Sequence, residues 1–165
     1  MRSRKTTLKW PVAVLAGQKT SYAGGLQAML IVMRVFLSSR VSTQKHQRLN
    51  DRIAEVCAQL GMQVFVPQHD IPEHASSVQI LQQNEQAVDA AKLVITVFDG
   101  AGTGVALELG RARAQRKLVI GFRSKPSQLQ ANLGMMLEGA WTDLPDARRA
   151  ASLAELRTAL QRILA

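Results

Sequence analysis

From residue 33 onward two hydrophobic spacings alternate along the chain. Short, nearly continuous apolar runs occur at 33–39 (MRVFLSS), 62–67 (MQVFVP), 93–98 (LVITVF) and 117–122 (KLVIGF). Their β-branched content and length predict strands, and the almost uniformly apolar 93–98 run predicts a central strand covered on both faces. Between them the period changes to that of a helix. In 43–61, Leu49, Ile53, Val56, Cys57 and Leu60 share one face, and Gly61 supplies a stop. In 77–92, Val78, Leu81, Val88 and Ala91 form a stripe behind Ser76 or Ser77 as N-cap, after a loop over 68–77. A helix over about 104–115 and a last one over 152–164, with Leu153, Leu156, Leu160 and Ile163 on one face, complete the series.

Strands alternating with amphipathic helices predict an α/β domain: a doubly wound, flavodoxin-like parallel sheet of about five strands with helices on both faces. Ligands of such sheets gather at the carboxyl ends of the strands. Here those ends are 38–41, 68–74, 99–103 and 123–126. No internal repeat or low-complexity tract interrupts the pattern, and 165 residues suffice for one core.

Charge divides the chain unevenly. Five of the 21 basic residues (Arg2, Arg4, Lys5, Lys9 and Lys19) precede Met33 with no acid among them, leaving 16 against 12 acidic residues in the remainder. The expectation is a basic leader or mis-assigned start over 1–32, ahead of a domain over 33–165. PVAVLAG in that leader is broken by Pro11 and Gly17, which argues against a signal peptide. No apolar run reaches the ~20 residues needed to span a bilayer, so neither a membrane nor secretion is expected, and the cytoplasm is the default location. A single cysteine, Cys57, rules out an intramolecular disulfide and sits on an apolar helical stripe, as an inert buried thiol would. His46, His69 and His74 lack the spacing of a zinc site, and no metal or other cofactor is implied.

The candidate chemistry lies in DGAGTGVALELG, 99–110. Asp99, Gly100, Gly102, Thr103 and Gly104 form a loop that opens a helix, where the backbone turns tightly and free N–H groups favour an anion. Glu108 follows early enough on that helix to reach the carboxyl edge of the sheet. As a plain acid near a helix N-terminus it would be worth only about 0.3–1 kcal/mol. A dinucleotide fingerprint is not met, because Val105 stands where the third glycine is required and Arg123 and Lys125 replace a ribose-binding acid. Arg111, Arg113, Arg116 and Lys117 are read as a solvated helix end; with no aromatic residue between them to stack bases, polymeric nucleic acid is not an expected partner.

RVFLSS, AAKLVITVFDG and GTGVALELGRARAQRKLVIGF together resemble the nucleoside 2-deoxyribosyltransferase family, over about residues 33–140. GVALELGRA is similar in particular to the deoxynucleoside 5'-monophosphate N-glycosidase branch. The resemblance gives Glu108 the role of nucleophile on the anomeric carbon of a nucleoside or its 5'-monophosphate, through a glycosyl-enzyme. Such two-step displacement by a carboxylate is sound chemistry in retaining glycosidases. It gives Asn84 the place of a family aspartate, Ser38, Ser39 and Arg40 the handling of sugar or 5'-phosphate, and Asn132 a reach into a neighbouring subunit of a homo-oligomer. Three positions depart from the family's pattern: Asn84 carries no acid, Gly102 replaces an aspartate or serine, and Phe36 replaces a tyrosine. His69, Asp70 and Asp99 at strand ends are alternative acids. Rival readings are a nucleotide-binding module without catalysis and a TIR-like NAD hydrolase.

Overall fold

The computed structural model describes residues 10, 32–124, 138–145 and 148–165. Five strands, β1 (Arg34–Ser38), β2 (Gln63–Phe65), β3 (Leu93–Val97), β4 (Leu118–Phe122) and β5 (Arg149–Ala150), form one sheet in the order β2-β1-β3-β4-β5. Every pairing is parallel, with Ser38 opposite Thr96 at the carboxyl ends of β1 and β3. This is the doubly wound order expected from the alternating pattern.

Alternation along the strands sorts the core into two layers. Val35, Leu37, Leu93, Ile95, Ile120 and Phe122 face α1 (Gln44–Gln59) and the C-terminal helix α5 (Leu153–Leu164), against Ile53, Cys57, Leu156 and Leu160. Phe36, Phe65, Val94, Phe98 and Val119 face α3 (Ser77–Ala90) and α4 (Thr103–Ala114), against Val88, Val105, Leu109 and Ala112. Cys57 is buried, and desolvation pushes its thiol up to about 12, so it is a packing residue and not a nucleophile.

Local signals set the helix limits. Thr43 caps α1 by accepting from the His46 N–H, and Gly61 leaves α1 at φ 74°. Ser76 and Gln79 make a reciprocal capping box on α3. Two expectations are corrected. The 68–77 segment is not all loop: Pro67 at the first turn starts a short helix, α2 (Pro67–Asp70), and the Val66 N–H donates to Asp70 Oδ2 at 2.6 Å. The α3 stripe is only half a core stripe. Val88 and Ala91 are buried in the layer over the sheet, whereas Val78 and Leu81, in the first turns of α3, are 63% and 50% exposed.

Most of the basic leader lies outside the described residues, but Trp10 packs edge-on against Phe65 at 6.0 Å and under the Arg34 guanidinium. Among the described residues no helix is long and apolar enough to cross a membrane.

Candidate active site

Two helical faces and one strand end meet at Glu108. On α4, Val105, Leu109 and Ala112 are buried, and Glu108 lies one turn from Val105 and from Ala112, so its side chain is drawn to the sheet side of the helix. On α3, Asn84 precedes the buried Ala87 and Val88 by three and four positions and projects from the same inward face. Ser38 ends β1 two residues after Phe36, and pleating therefore turns it to the α3/α4 side.

The three side chains are directly joined. Ser38 Oγ donates to Glu108 Oε2 at 2.6 Å, and Asn84 Nδ2 donates to Oε1 at 2.9 Å. Each carboxylate oxygen thus has one neutral donor, and no cation among the described residues pairs with it. Burial pushes the Glu108 carboxyl up to about 7, against the downward pull of the Ser38 and Asn84 hydrogen bonds. A carboxylate with that balance is a weakly solvated base or nucleophile that ionises near neutrality. Asn84 Oδ1, Ser39 Oγ and Thr96 Oγ1 are buried without hydrogen-bond partners among the described residues. Unpaired polar atoms clustered this closely around one acid suit the hydroxyl groups of a ligand.

Glu108 opens into a cleft of about 840 Å³ that also takes in Asn84, Gly102, Gly104, Ser39 and Arg40, with an apolar wall of Pro67, Ile71, Pro72 and Ile80. Its volume fits a small-molecule ligand. A second, more apolar hollow of about 600 Å³ between α3 and α4 shares Asn84, Gly104 and Glu108.

Asp99, Gly100, Thr103 and Asp70 lie beside the cleft and do not line it. Asp99 Oδ2 accepts from the N–H and Oγ of Ser124, at 2.9 and 2.5 Å, tying the ends of β3 and β4 together. Gly100 turns the loop at φ 68°, its carbonyl accepts from Arg40 Nη1 at 3.2 Å, and His46 rests against its Cα. Burial first, then the charges of Arg40 and Lys45, pull the His46 imidazole below its ordinary value. Thr103 begins α4 and is exposed, while Gly102 and Gly104 have open space where a Cβ would stand. Asp70 is occupied in holding α2, and burial raises its carboxyl. Asn132 lies outside the described residues.

The basic string at the end of α4 is engaged, not simply solvated. Arg111 grips Asp89 with two hydrogen bonds of 2.7 and 2.8 Å and also reaches Glu85, locking α4 to α3; Arg113 pairs with Asp143. Lys117 Nζ donates to the Asp89 and Ala91 carbonyls. The motif reading did not anticipate the pairing of Asn50, Gln68 and Asp51 behind the cleft wall, because the partners lie on different elements and none belongs to a motif.

Solved structures share this fold. A conserved protein from Enterococcus faecalis aligns over 79% of this chain and 99% of its own at 22% identity, with a TM-score of 0.58. The 2-deoxyribosyltransferase of Bacillus psychrosaccharolyticus aligns over 69% and 93% at 18% identity with a TM-score of 0.50, and a CMP N-glycosidase from Clostridium botulinum over 79% and 98% at 17% with a TM-score of 0.50. No curated protein matches in sequence. The family model for nucleoside 2-deoxyribosyltransferases matches residues 35–144, more than half of the chain, and the protein belongs to that family.

Proposed function

We propose that the protein cleaves the N-glycosidic bond of a nucleoside, a deoxynucleoside or its 5'-monophosphate, with Glu108 as the nucleophile. The observation that carries this reading is the Glu108 carboxylate itself, buried at the head of an 840 Å³ cleft and held by two neutral donors from Ser38 and Asn84. Family membership supports N-glycosyl transfer or cleavage on nucleosides or nucleotides as the reaction class.

In the proposed reaction the ionised Glu108 attacks the anomeric carbon as the carbon–nitrogen bond breaks, and the base leaves with the bonding pair. The resulting ester is then opened by water, giving free sugar, or by a second base, giving transfer. Ser38 and Asn84 hold both carboxylate oxygens, which fixes the direction of attack. Arg40, on the cleft rim with its Nε on Ser42 Oγ at 2.7 Å, supplies the cationic group for a 5'-phosphate.

A second copy of the chain is proposed to cover the α3/α4 face. Leu107 is 62% exposed and lines, with Ile80 and Leu81, the apolar hollow next to Glu108. Burial of that face in a homo-oligomer would complete the site wall.

The test is chromatographic release of free base from nucleosides, deoxynucleosides, their 5'-monophosphates and NAD, with Glu108→Gln as control. Release by the parent and none by the variant is expected; equal release by both would overturn the assignment of Glu108. Adding a second free base to the reaction separates hydrolysis from transfer.

A further inference from the structure

A hydrogen-bonded chain runs from the protein interior to the cleft wall that follows β2. It starts at Asn50 on α1, which is only 1% exposed and whose Nδ2 donates to the Arg40 carbonyl at 3.1 Å and to Gln68 Oε1 at 2.8 Å. Gln68 Nε2 in turn donates to Asp51 Oδ1 at 2.7 Å and to the Gln47 carbonyl at 3.2 Å, so that both amide hydrogens and the amide oxygen are occupied. Asp51 Oδ1 also lies 2.7 Å from His69 Nε2.

These contacts fix the histidine. A carboxylate only accepts, so the proton of the neutral imidazole sits on Nε2, facing Asp51. Gln68 Nε2, its hydrogens already given to Asp51 and Gln47, lies 3.2 Å from the same Nε2, so both described contacts of the ring fall on that nitrogen; Nδ1 is then a lone-pair acceptor to which no described residue donates. His69 lines the same cleft as Glu108, next to Ile71 and Pro72. Ser38 holds the Glu108 carboxylate at the end of β1, and His69 follows β2, the neighbouring strand, so a sugar seated at Glu108 leaves the His69 wall of the cleft to the base.

We propose that His69, oriented by Asp51, reads the base: its Nδ1 accepts a hydrogen bond from an exocyclic amino group on the edge remote from the sugar. The inference rests on the reading of Glu108 as the residue that meets the sugar. An amino base satisfies the imidazole lone pair, whereas an oxo group in the same place sets lone pair against lone pair and leaves both unpaired. Cytosine and adenine compounds are therefore favoured over their uracil and hypoxanthine counterparts. Asp51 acts through His69 and is a positioning residue.

The experiment uses two matched pairs, deoxycytidine with deoxyuridine and deoxyadenosine with deoxyinosine, each also as the 5'-monophosphate. Base release is followed with the parent, and equilibrium binding by calorimetry with both the parent and Glu108→Gln. The parent is expected to prefer the amino member of each pair by about fivefold or more. His69→Phe keeps a flat ring but no acceptor, and its preference should fall to within about twofold; His69→Gln, whose amide oxygen restores an acceptor, should recover part of it. A parent that does not discriminate, or a His69→Phe variant that keeps the preference, overturns the inference. Release of base without discrimination leaves the role of Glu108 standing, whereas a His69-dependent binding preference without any release leaves base reading standing and removes the nucleophile. Neither binding nor release with any of the compounds overturns both.

Discussion

Ser38 and Glu108, 70 positions apart, are joined by a 2.6 Å hydrogen bond that ties the end of β1 to the middle of α4. Among the described residues the serine hydroxyl has no other acceptor, and the carboxylate has one other donor, Asn84. Removing the hydroxyl leaves Glu108 Oε2 buried and unpaired, which disfavours the charged form. In Ser38→Ala, the low-pH limb of kcat/KM should move to higher pH, and the rate at neutrality should drop about tenfold or more. A pH–rate profile of the parent and the variant decides it, since a merely structural serine would change stability and leave the limb in place.

Glu108 carries a stability cost that its replacement removes. Its carboxyl is raised by burial from 4.5 to about 7, so the folded state binds the proton more tightly than the unfolded chain does. The stability from this group is fully present below pH ~4.5 and is lost as pH rises towards and through about 7, a swing of order 3 kcal/mol. Glutamine keeps the shape and can still accept from Asn84, without the charge. Glu108→Gln should therefore raise the unfolding midpoint at pH 8, by about 1–3 kcal/mol, and gain little at pH 4.5, while abolishing base release. Thermal melts at the two pH values, beside the activity assay, check both halves.

Asn84, where the resemblance leads one to expect an aspartate, has its Nδ2 bonded to Glu108 Oε1 at 2.9 Å. Asn84→Asp would replace a neutral donor with a second carboxyl within hydrogen-bond range. Two carboxyls so placed cannot both ionise cheaply and titrate as a pair, with one apparent value raised. The low-pH limb should shift upward by about one unit or more, and the proton they share becomes available to the departing base. An unchanged profile would mean that Asn84 does not touch the working form of Glu108.

The pattern of hydrophobic positions carried the fold, and the resemblance, not the pattern, named Ser38 and Asn84 beside Glu108; the fold then brings the three together for a physical reason. Strand alternation and helical period are local, and together they decide that Ser38, Asn84 and Glu108 point into one layer between the sheet and α3/α4. What the sequence hid was non-local or depended on where elements end. Val78 and Leu81 obey the helical period and yet are exposed, since a period fixes which face a residue shares and not whether another element covers it. Arg111 looked like a solvated charge until α3 brought Asp89 against it, and that pairing pulls the Asp89 carboxyl down to about 2. His69 reads in the sequence as an alternative acid at a strand end; Asp51, which orients it, is 18 residues away on α1. Pro67, which turns 67–70 into a helix, was taken for the end of a strand, since a proline closes the one and opens the other equally well.

The glycines of the 99–110 loop separate into two kinds, and a pair of alanine substitutions distinguishes them. Gly100 has φ 68°, and a Cβ there would stand 2.7 Å from His46 Nε2. An alanine at this position is strained in the left-handed region and must also displace a partly buried ring, so Gly100→Ala should destabilise the fold by about 1–3 kcal/mol. Its movement loosens the Arg40 contact with the Gly100 carbonyl, and binding of a 5'-monophosphate should weaken more than that of the unphosphorylated nucleoside. Gly102 has φ −117°, which any residue adopts, and open space around the Cβ position, so Gly102→Ala should leave stability within about 0.5 kcal/mol. That open space is cleft volume beside Glu108, so the added methyl should raise KM for every substrate that releases base. Denaturant melts and steady-state kinetics on the two variants would show opposite patterns. A Gly102→Ala enzyme with parental KM would place the sugar elsewhere than against the glycine loop.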